Sequence, residues 1–457
     1  VTTDDTGLPP SPLPPPGSAR NALLTAIALT LPAIVMVATG FDPHAQPVVG
    51  LLVFGTGIVA AAFLLTWGAE VAQLDIGSGL AVVFLALVTV LPEYAVDIHL
   101  SWTAATNLQN RPLALANMTG ANQLLIGIGW PTLALIVWWK RRGREIVLGP
   151  DKSGDVVWLL IATVYSLHLP FKGFLGWYDA VILFAIYGFY VAGSKNEPEA
   201  HGELVGPPRS MARWSKRRRR AGTAFLFLWS ACAIFVAVHP FVESLKAAGQ
   251  SVGVNERLMI GWIAPLASES PEFVVVIMLT LRGAATMGFG ALVSSKVNQW
   301  TLLVGGIPIA FGIAHVVNGA GFAGRFPIDA HQVEMLFLTA SQGLYAVATI
   351  MDLRFSLAQA LAILVLFLLQ LGGSLYIELW MDRDDLLAPF HNVFSVVYLV
   401  LALERFWSQR HELPVRFREA FRRGRLIPPE PPPGMPRPRD VEAPQMPSDL
   451  PAEPPGD

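Results

Sequence analysis

"VTVLPEYAVDI" (88–98) and, further along, "NMTGANQLLIG" (117–127) decide how this chain is read, because both recur. "LASESPEFVVVI" (266–277) and "VSSKVNQWTLLVG" (293–305) repeat them in the same order. Each copy sets a Pro-Glu pair inside an apolar run, Pro92-Glu93 and Pro271-Glu272. Each follows with a hydroxyl residue and then Asn-Gln: Thr119, Asn122 and Gln123, against Ser295, Asn298 and Gln299. A carboxylate is costly inside a membrane-length helix, and insertion scales put Asp, Lys or Arg at a span centre at roughly 2.5–3.5 kcal/mol. Finding one twice in matching surroundings points to function.

The surroundings are those of a membrane protein. The 457 residues are 53% hydrophobic and 14% charged, against about 25% charged in an ordinary soluble domain. The net charge of -2 gives no footing for a nucleic-acid partner. Cys232 is the single cysteine, so an intramolecular disulfide and a cysteine metal cluster are both excluded. No phosphate loop, nucleophile elbow or zinc-protease motif occurs, which argues against an ATP-driven pump or an intramembrane enzyme. No cofactor is expected beyond transported cations. The expected partners are the lipid bilayer and inorganic cations, and the sequence leaves the oligomeric state open.

Membrane-length apolar runs lie at about 21–41, 50–68, 78–101, 113–138, 155–169, 176–193, 222–241, 256–282, 287–316, 334–351, 356–379 and 392–407. The expected fold is therefore an all-α polytopic membrane protein of about twelve spans, since an open backbone in lipid cannot satisfy its hydrogen bonds. Trp138, Trp139, Trp177 and Trp380 fall near span ends, as interfacial tryptophans do. The basic clusters at 140–144, 215–220 and 416–425, with Arg282 and Arg354, all fall after an even number of spans. By the positive-inside rule that face is cytoplasmic, and both termini lie on it. An inner or plasma membrane location is expected, and the opening valine suggests a bacterial start codon translated literally.

Setting aside 21–41 and 392–407, each half carries five spans. An odd number makes the halves enter from opposite faces, an inverted repeat, which in transporters places the substrate site at the repeat interface near the midplane. The expected organisation is a disordered tail at 1–20, an extra helix at 21–41 and a first repeat at 50–193. A basic cytoplasmic loop at 194–221, a second repeat at 222–379, an extra helix at 392–407 and a disordered Pro-rich tail at 412–457 complete it.

Residues i and i+4 share a helical face. Thr89 with Glu93, Ser268 with Glu272, Thr119 with Gln123 and Ser295 with Gln299 are all so spaced. Brought together, these eight would form an all-oxygen cage of the kind hard cations prefer. Pro92 and Pro271 remove backbone donors and free carbonyls beside the glutamates. Asp97, Glu269 and Lys296 lie in the same neighbourhood and must face the bundle interior, pair or bind ions. Asn122 and Asn298 join them as possible modulators. Buried salt bridges that only lock helices together are the alternative.

At these residues the chain resembles the calcium/cation antiporter superfamily, the sodium/calcium exchangers and their proton-coupled relatives, over roughly 50–193 and 222–379. That family carries two inverted repeats, each with a G-T-S-L-P-E-like and then a G-S-N-I-like segment. The resemblance implies that Glu93 and Glu272 are the central metal-cation ligands, with Thr89, Ser268, Thr119 and Ser295 supplying supporting oxygens. Gln123 and Gln299 stand where the family usually has Asn or Asp. Val88 and Ala267 replace family glycines, Val90 and Glu269 a serine, and Lys296 an asparagine. A fixed ammonium in that place would stand in for one Na⁺ or favour proton coupling. The implied function is a secondary antiporter exchanging Ca²⁺ or a similar cation for Na⁺ or H⁺ by alternating access. The alternatives are a Na⁺/H⁺ or other monovalent antiporter on the same scaffold, and a transport-inactive membrane protein with a degenerate site.

Overall fold

The computed structural model describes residues 16–72, 74–75, 91–194, 204, 206–381 and 383–422. In chain order the helices are α1 (Pro16–Ala38), α2 (Pro47–Ala72), α3 (Leu91–Thr103), α4 (Leu108–Arg141), α5 (Pro150–Lys172) and α6 (Trp177–Ser194). They continue as α7 (Pro207–Ala212), α8 (Lys216–Ser251), α9 (Glu256–Arg282), α10 (Ala285–Val317), α11 (Ala330–Thr349), α12 (Leu357–Met381), α13 (Leu387–Ser408) and α14 (Glu412–Arg422). Four short strands complete the described residues: β1 (Glu145–Val147), β2 (Phe174–Gly176), β3 (Arg325–Pro327) and β4 (Arg354–Ser356).

The chain is an all-α polytopic membrane protein. Nine of its described helices are long and apolar enough to cross a bilayer, and Trp177–Gly193 is a shorter apolar one. Of the expected span at 78–101, only residues from Leu91 onward are described. α11, expected as the span at 334–351, is long enough to cross but too polar along its length to count among these nine. Its Gln332, Thr339, Ser341, Gln342 and Thr349 are all buried inside the bundle, so they need no lipid-compatible chemistry. The outward positions are apolar, with Leu228, Phe235, Leu369 and Val400 among the most exposed side chains.

The strands record the symmetry of the two halves. In each half a strand precedes the fourth helix and another precedes the fifth. β1, before α5, pairs antiparallel with β4, before α12; β2, before α6, pairs antiparallel with β3, before α11. A two-fold relation between the halves produces just this exchange of partners. α2 and α8, which open the halves, also run antiparallel. Gly50 abuts Ser244, Gly55 abuts Phe241 and Gly68 abuts Leu226, so one number rises as the other falls. Local sequence fixes the helix starts near these strands. Asp329 with Gln332, and Ser356 with Gln359, form reciprocal capping boxes that satisfy the first amides of α11 and α12.

Two boundaries differ from expectation. α1 begins at Pro16, inside the expected tail. More consequentially, the first part of the expected C-terminal tail is the amphipathic helix α14. Arg416 bonds Glu412 at 2.7 Å and Glu419 at 2.6 Å, and Ser153 donates to Glu419 at 2.6 Å. Phe421 meets Trp158 edge-on at 5.6 Å. The charges of "ELPVRFREAFR" suggested a solvated tail, but they pair with one another while Leu413 and Phe417 pack on the core.

α4 and α9 cross with no side chain between them. A Cβ on Gly120 would stand 1.6 Å from the carbonyl oxygen of Gly261. Small residues permit such backbone approach between membrane helices. Gly120→Ala is expected to destabilise the fold by at least ~1–3 kcal/mol, read as a lower melting midpoint in detergent. An unchanged midpoint would show that the crossing is looser than described.

Candidate functional site

The crossing helices carry both repeated motifs to the centre of the bundle. Glu93 of α3 and Ser268, Glu269 and Glu272 of α9 line one enclosed cavity with Ala62 and Thr66 of α2. Its volume is about 20 Å³, room for about one water-sized occupant. Pro271 withholds the amide that would otherwise bond the carbonyl of Ala267. That carbonyl instead accepts the Ser270 hydroxyl at 3.1 Å, so the proline does not leave it free. The Ser268 hydroxyl donates to its own helix, to Ala264 at 3.2 Å and Pro265 at 3.3 Å. Its lone pairs remain available at the cavity wall.

α10 supplies the donors. Ser295 donates to Glu272 at 3.1 Å, and Gln299 donates its amide to Glu269 at 2.6 Å. Oε1 of Glu93 and Oε2 of Glu269 are buried and have no hydrogen-bond partner among the described residues. Lys296 is completely buried, at 0% exposure. Its ammonium donates to the backbone oxygen of Asn122 at 2.6 Å and to the Asn122 side-chain oxygen, and lies 5.5 Å from the Trp300 ring centre. Asn298, the counterpart of Asn122, accepts from Tyr94 at 3.0 Å. Each motif asparagine is thus held by a donor from the other half, which joins the two repeats through polar contacts at the midline. Asp97, a turn beyond Glu93, accepts from Asn117 at 2.6 Å, and its second oxygen has no described partner.

Among the described residues, the oxygens expected to form the cage are not all brought together. Thr89 lies outside the described residues. Thr119 and Gln123 do share a face, but that face turns away from the carboxylates. Gln123 donates to Thr339 of α11 at 2.7 Å and accepts from Gln370 of α12 at 2.7 Å. Thr119 donates to its own helix at Leu115, 2.8 Å away, and lines a separate, larger cavity. The second repeat therefore contributes most of the central polar groups: Ser268, Glu269, Glu272, Ser295, Lys296 and Gln299. Spacing alone passed over Thr66, Tyr94 and Asn117. Thr66 stands in an apolar run with nothing to mark it, whereas Tyr94 and Asn117 are adjacent to or within the repeated segments.

Chemically, three carboxylates face one small cavity with one ammonium beside it. If all are ionised the formal balance is -3 + 1 = -2. One divalent cation, or two protons, neutralises that charge. Uncompensated it would be untenable, because buried ions cost several kcal/mol each when unpaired. Acidic helices meeting across an inverted repeat define a secondary cation antiporter.

Comparison with known proteins gives the family. The model for the sodium/calcium exchanger protein family matches residues 46–195 and 222–376. The crystal structure of the H⁺/Ca²⁺ exchanger CAX superposes with a TM-score of 0.81 at 34% identity, covering 89% of this chain and 98% of that one. A structure of the sodium-calcium exchanger NCX_Mj soaked with Na⁺ and Sr²⁺ matches at 15% identity and a TM-score of 0.48, over 72% of this chain and 99% of that one, too remote to add to the reading. No curated protein matches. The chain belongs to the sodium/calcium exchanger family.

The Gln299–Glu269 contact is testable on its own. Gln299→Leu removes the donor to a buried carboxylate and is expected to cost about 1.5–3 kcal/mol. Adding Glu269→Leu should recover part of that loss, because the orphaned acceptor goes too. Melting midpoints of the single and double variants read the difference. Simple additivity would mean that the two side chains do not interact.

Proposed function

We propose that the chain exchanges Ca²⁺ for H⁺ across a cell membrane by alternating access. Glu93 and Glu272 are the central ligands, Ser268 and Ser295 supporting oxygens, and Glu269 a third carboxylate. The observation that carries this reading is a water-sized cavity walled by Glu93, Glu269 and Glu272, with the Lys296 ammonium near enough to interact electrostatically with Glu269 and Glu93. The polar side chains on its wall, Thr66, Glu93, Ser268, Glu269 and Glu272, offer only oxygen ligands, which suits a hard divalent ion. The likeness to an H⁺/Ca²⁺ exchanger supports the proton as coupling ion, as does a lysine that already occupies one cationic place.

Coupling then follows from competition. Ca²⁺ is held when the glutamates are ionised, and protons arriving from the opposite side cancel the charge that holds it. A cavity that admits one occupant cannot accept both. Ser295 and Gln299 keep Glu272 and Glu269 oriented in either state, and Lys296 holds the Asn122 segment of the opposite repeat. With both termini in the cytoplasm, the orientation that the arginine-rich loops favour, an inward proton gradient would drive Ca²⁺ out.

The test is ⁴⁵Ca²⁺ uptake into proteoliposomes under an imposed pH gradient or, in parallel, a Na⁺ gradient. Uptake is expected with the pH gradient, and Glu93→Gln and Glu272→Gln should each abolish it while the protein stays monodisperse. Uptake driven by Na⁺ alone would overturn the coupling ion. No uptake under either gradient would overturn Ca²⁺ as substrate.

A further inference from the structure

Outside the exchange site, His331 and Glu334 of α11 and His391 of α13 come together. One ligand atom from each lies within 4.8 Å of the others. The three line a cavity of about 300 Å³ at the end of the bundle opposite the arginine-rich loops. Thr119 and Gln370 lie on the same cavity's wall. His391 falls beyond residue 376, where the family match ends, on the extra helix α13.

The hydrogen bonds around His391 specify its state. The Ser374 hydroxyl donates to the carbonyl of Gln370 at 2.9 Å. With that proton in use, Ser374 Oγ accepts from Nε2 of His391 at 2.9 Å. In that arrangement Nε2 carries the hydrogen and Nδ1 presents a lone pair. That nitrogen belongs to a residue only 2% exposed and has no hydrogen-bond partner among the described residues. It faces Oε2 of Glu334 at 3.8 Å, and Nδ1 of His331 faces the same oxygen at 3.8 Å. A ring nitrogen and a carboxylate oxygen turned toward each other are bridged by a shared cation, either a proton or a metal ion.

We propose that His331, Glu334 and His391 bind a divalent transition-metal ion of the Zn²⁺ class. Two imidazoles and one carboxylate suit such an ion, in contrast to the polar side chains on the exchange-site wall, which offer only oxygen ligands. In tetrahedral zinc coordination, ligand atoms stand about 3.4 Å apart, so closing from separations of up to 4.8 Å needs side-chain movement only. Ser374 would orient the His391 ring from behind, as outer hydrogen bonds do at metal sites. The bound ion would tie the extra helix α13 to α11 of the exchanger core, and through Ser374 to α12.

Zn²⁺ titration calorimetry on the full chain in detergent, with millimolar Ca²⁺ present, tests this. The parent is expected to bind one Zn²⁺. His391→Ala and Glu334→Gln should each weaken binding at least ~10-fold, and Ser374→Ala by about 10–100-fold. The double variant Glu93→Gln/Glu272→Gln should retain the Zn²⁺ equivalent, which separates this site from the exchange site. Unchanged Ca²⁺ binding in His391→Ala would show that the variant is folded; if it does not fold, Ser374→Ala decides. No Zn²⁺ bound by the parent, equal affinity in His391→Ala or, failing that, in Ser374→Ala, or loss of the equivalent in the Glu93/Glu272 variant would each overturn the proposal.

Discussion

Everything at the centre of this protein answers one electrostatic demand. Glu93, Glu269 and Glu272 share a cavity of about 20 Å³, with Glu93 and Glu269 buried. Charge so placed must be balanced by a fixed partner or a mobile one. The fixed partners cover part of it: Lys296 brings one positive charge, while Ser295 and Gln299 bring donors. What is left, two negative charges when all the groups are ionised, is an equilibrium that cations can occupy in turn. The same incompleteness that would make this a poor structural salt bridge suits it to the exchange proposed for it.

The fold exists to hold that imbalance at a seam. Because the two halves run in opposite directions, each acidic helix meets the other half's asparagine segment at the midline. Lys296 and Tyr94 bond Asn122 and Asn298 across the seam. The close approach at Gly120 and Gly261 lets α4 and α9 pass without side chains between them. The strand pairs tie the fourth helix of each half to the fifth of the other, away from the seam. Rigid links at the ends and a polar, bond-exchanging interface in the middle suit two halves that rock about a shared site.

Much of this was legible in the sequence, and the limits have physical causes. Two Pro-Glu pairs in apolar runs announced the acidic centre, because lipid penalises carboxylates. Basic loops at even positions gave the expectation of one cytoplasmic face, because charge does not cross the bilayer readily. The i, i+4 rule correctly put Thr119 with Gln123 and Ser295 with Gln299, but it cannot say which neighbour a face meets. One pair reached the carboxylates and the other turned to Thr339 and Gln370. The partners of Lys296 were hidden for the same reason, since Asn122 is 174 residues away. α11 looked like any other span, but its polar face is internal. His331, Glu334 and His391 come together only because α13 folds back beside α11, which spacing along the chain does not show.

The central claim is that the same carboxylates hold either a divalent cation or protons. Counting protons released on Ca²⁺ binding tests it most directly, by titrating the purified chain with Ca²⁺ in buffers of different ionisation enthalpy. The account predicts release of protons with each Ca²⁺ bound, rising toward two as the pH is lowered, and loss of that release along with Ca²⁺ binding in Glu272→Gln. Ca²⁺ binding with no proton release at any pH would contradict it.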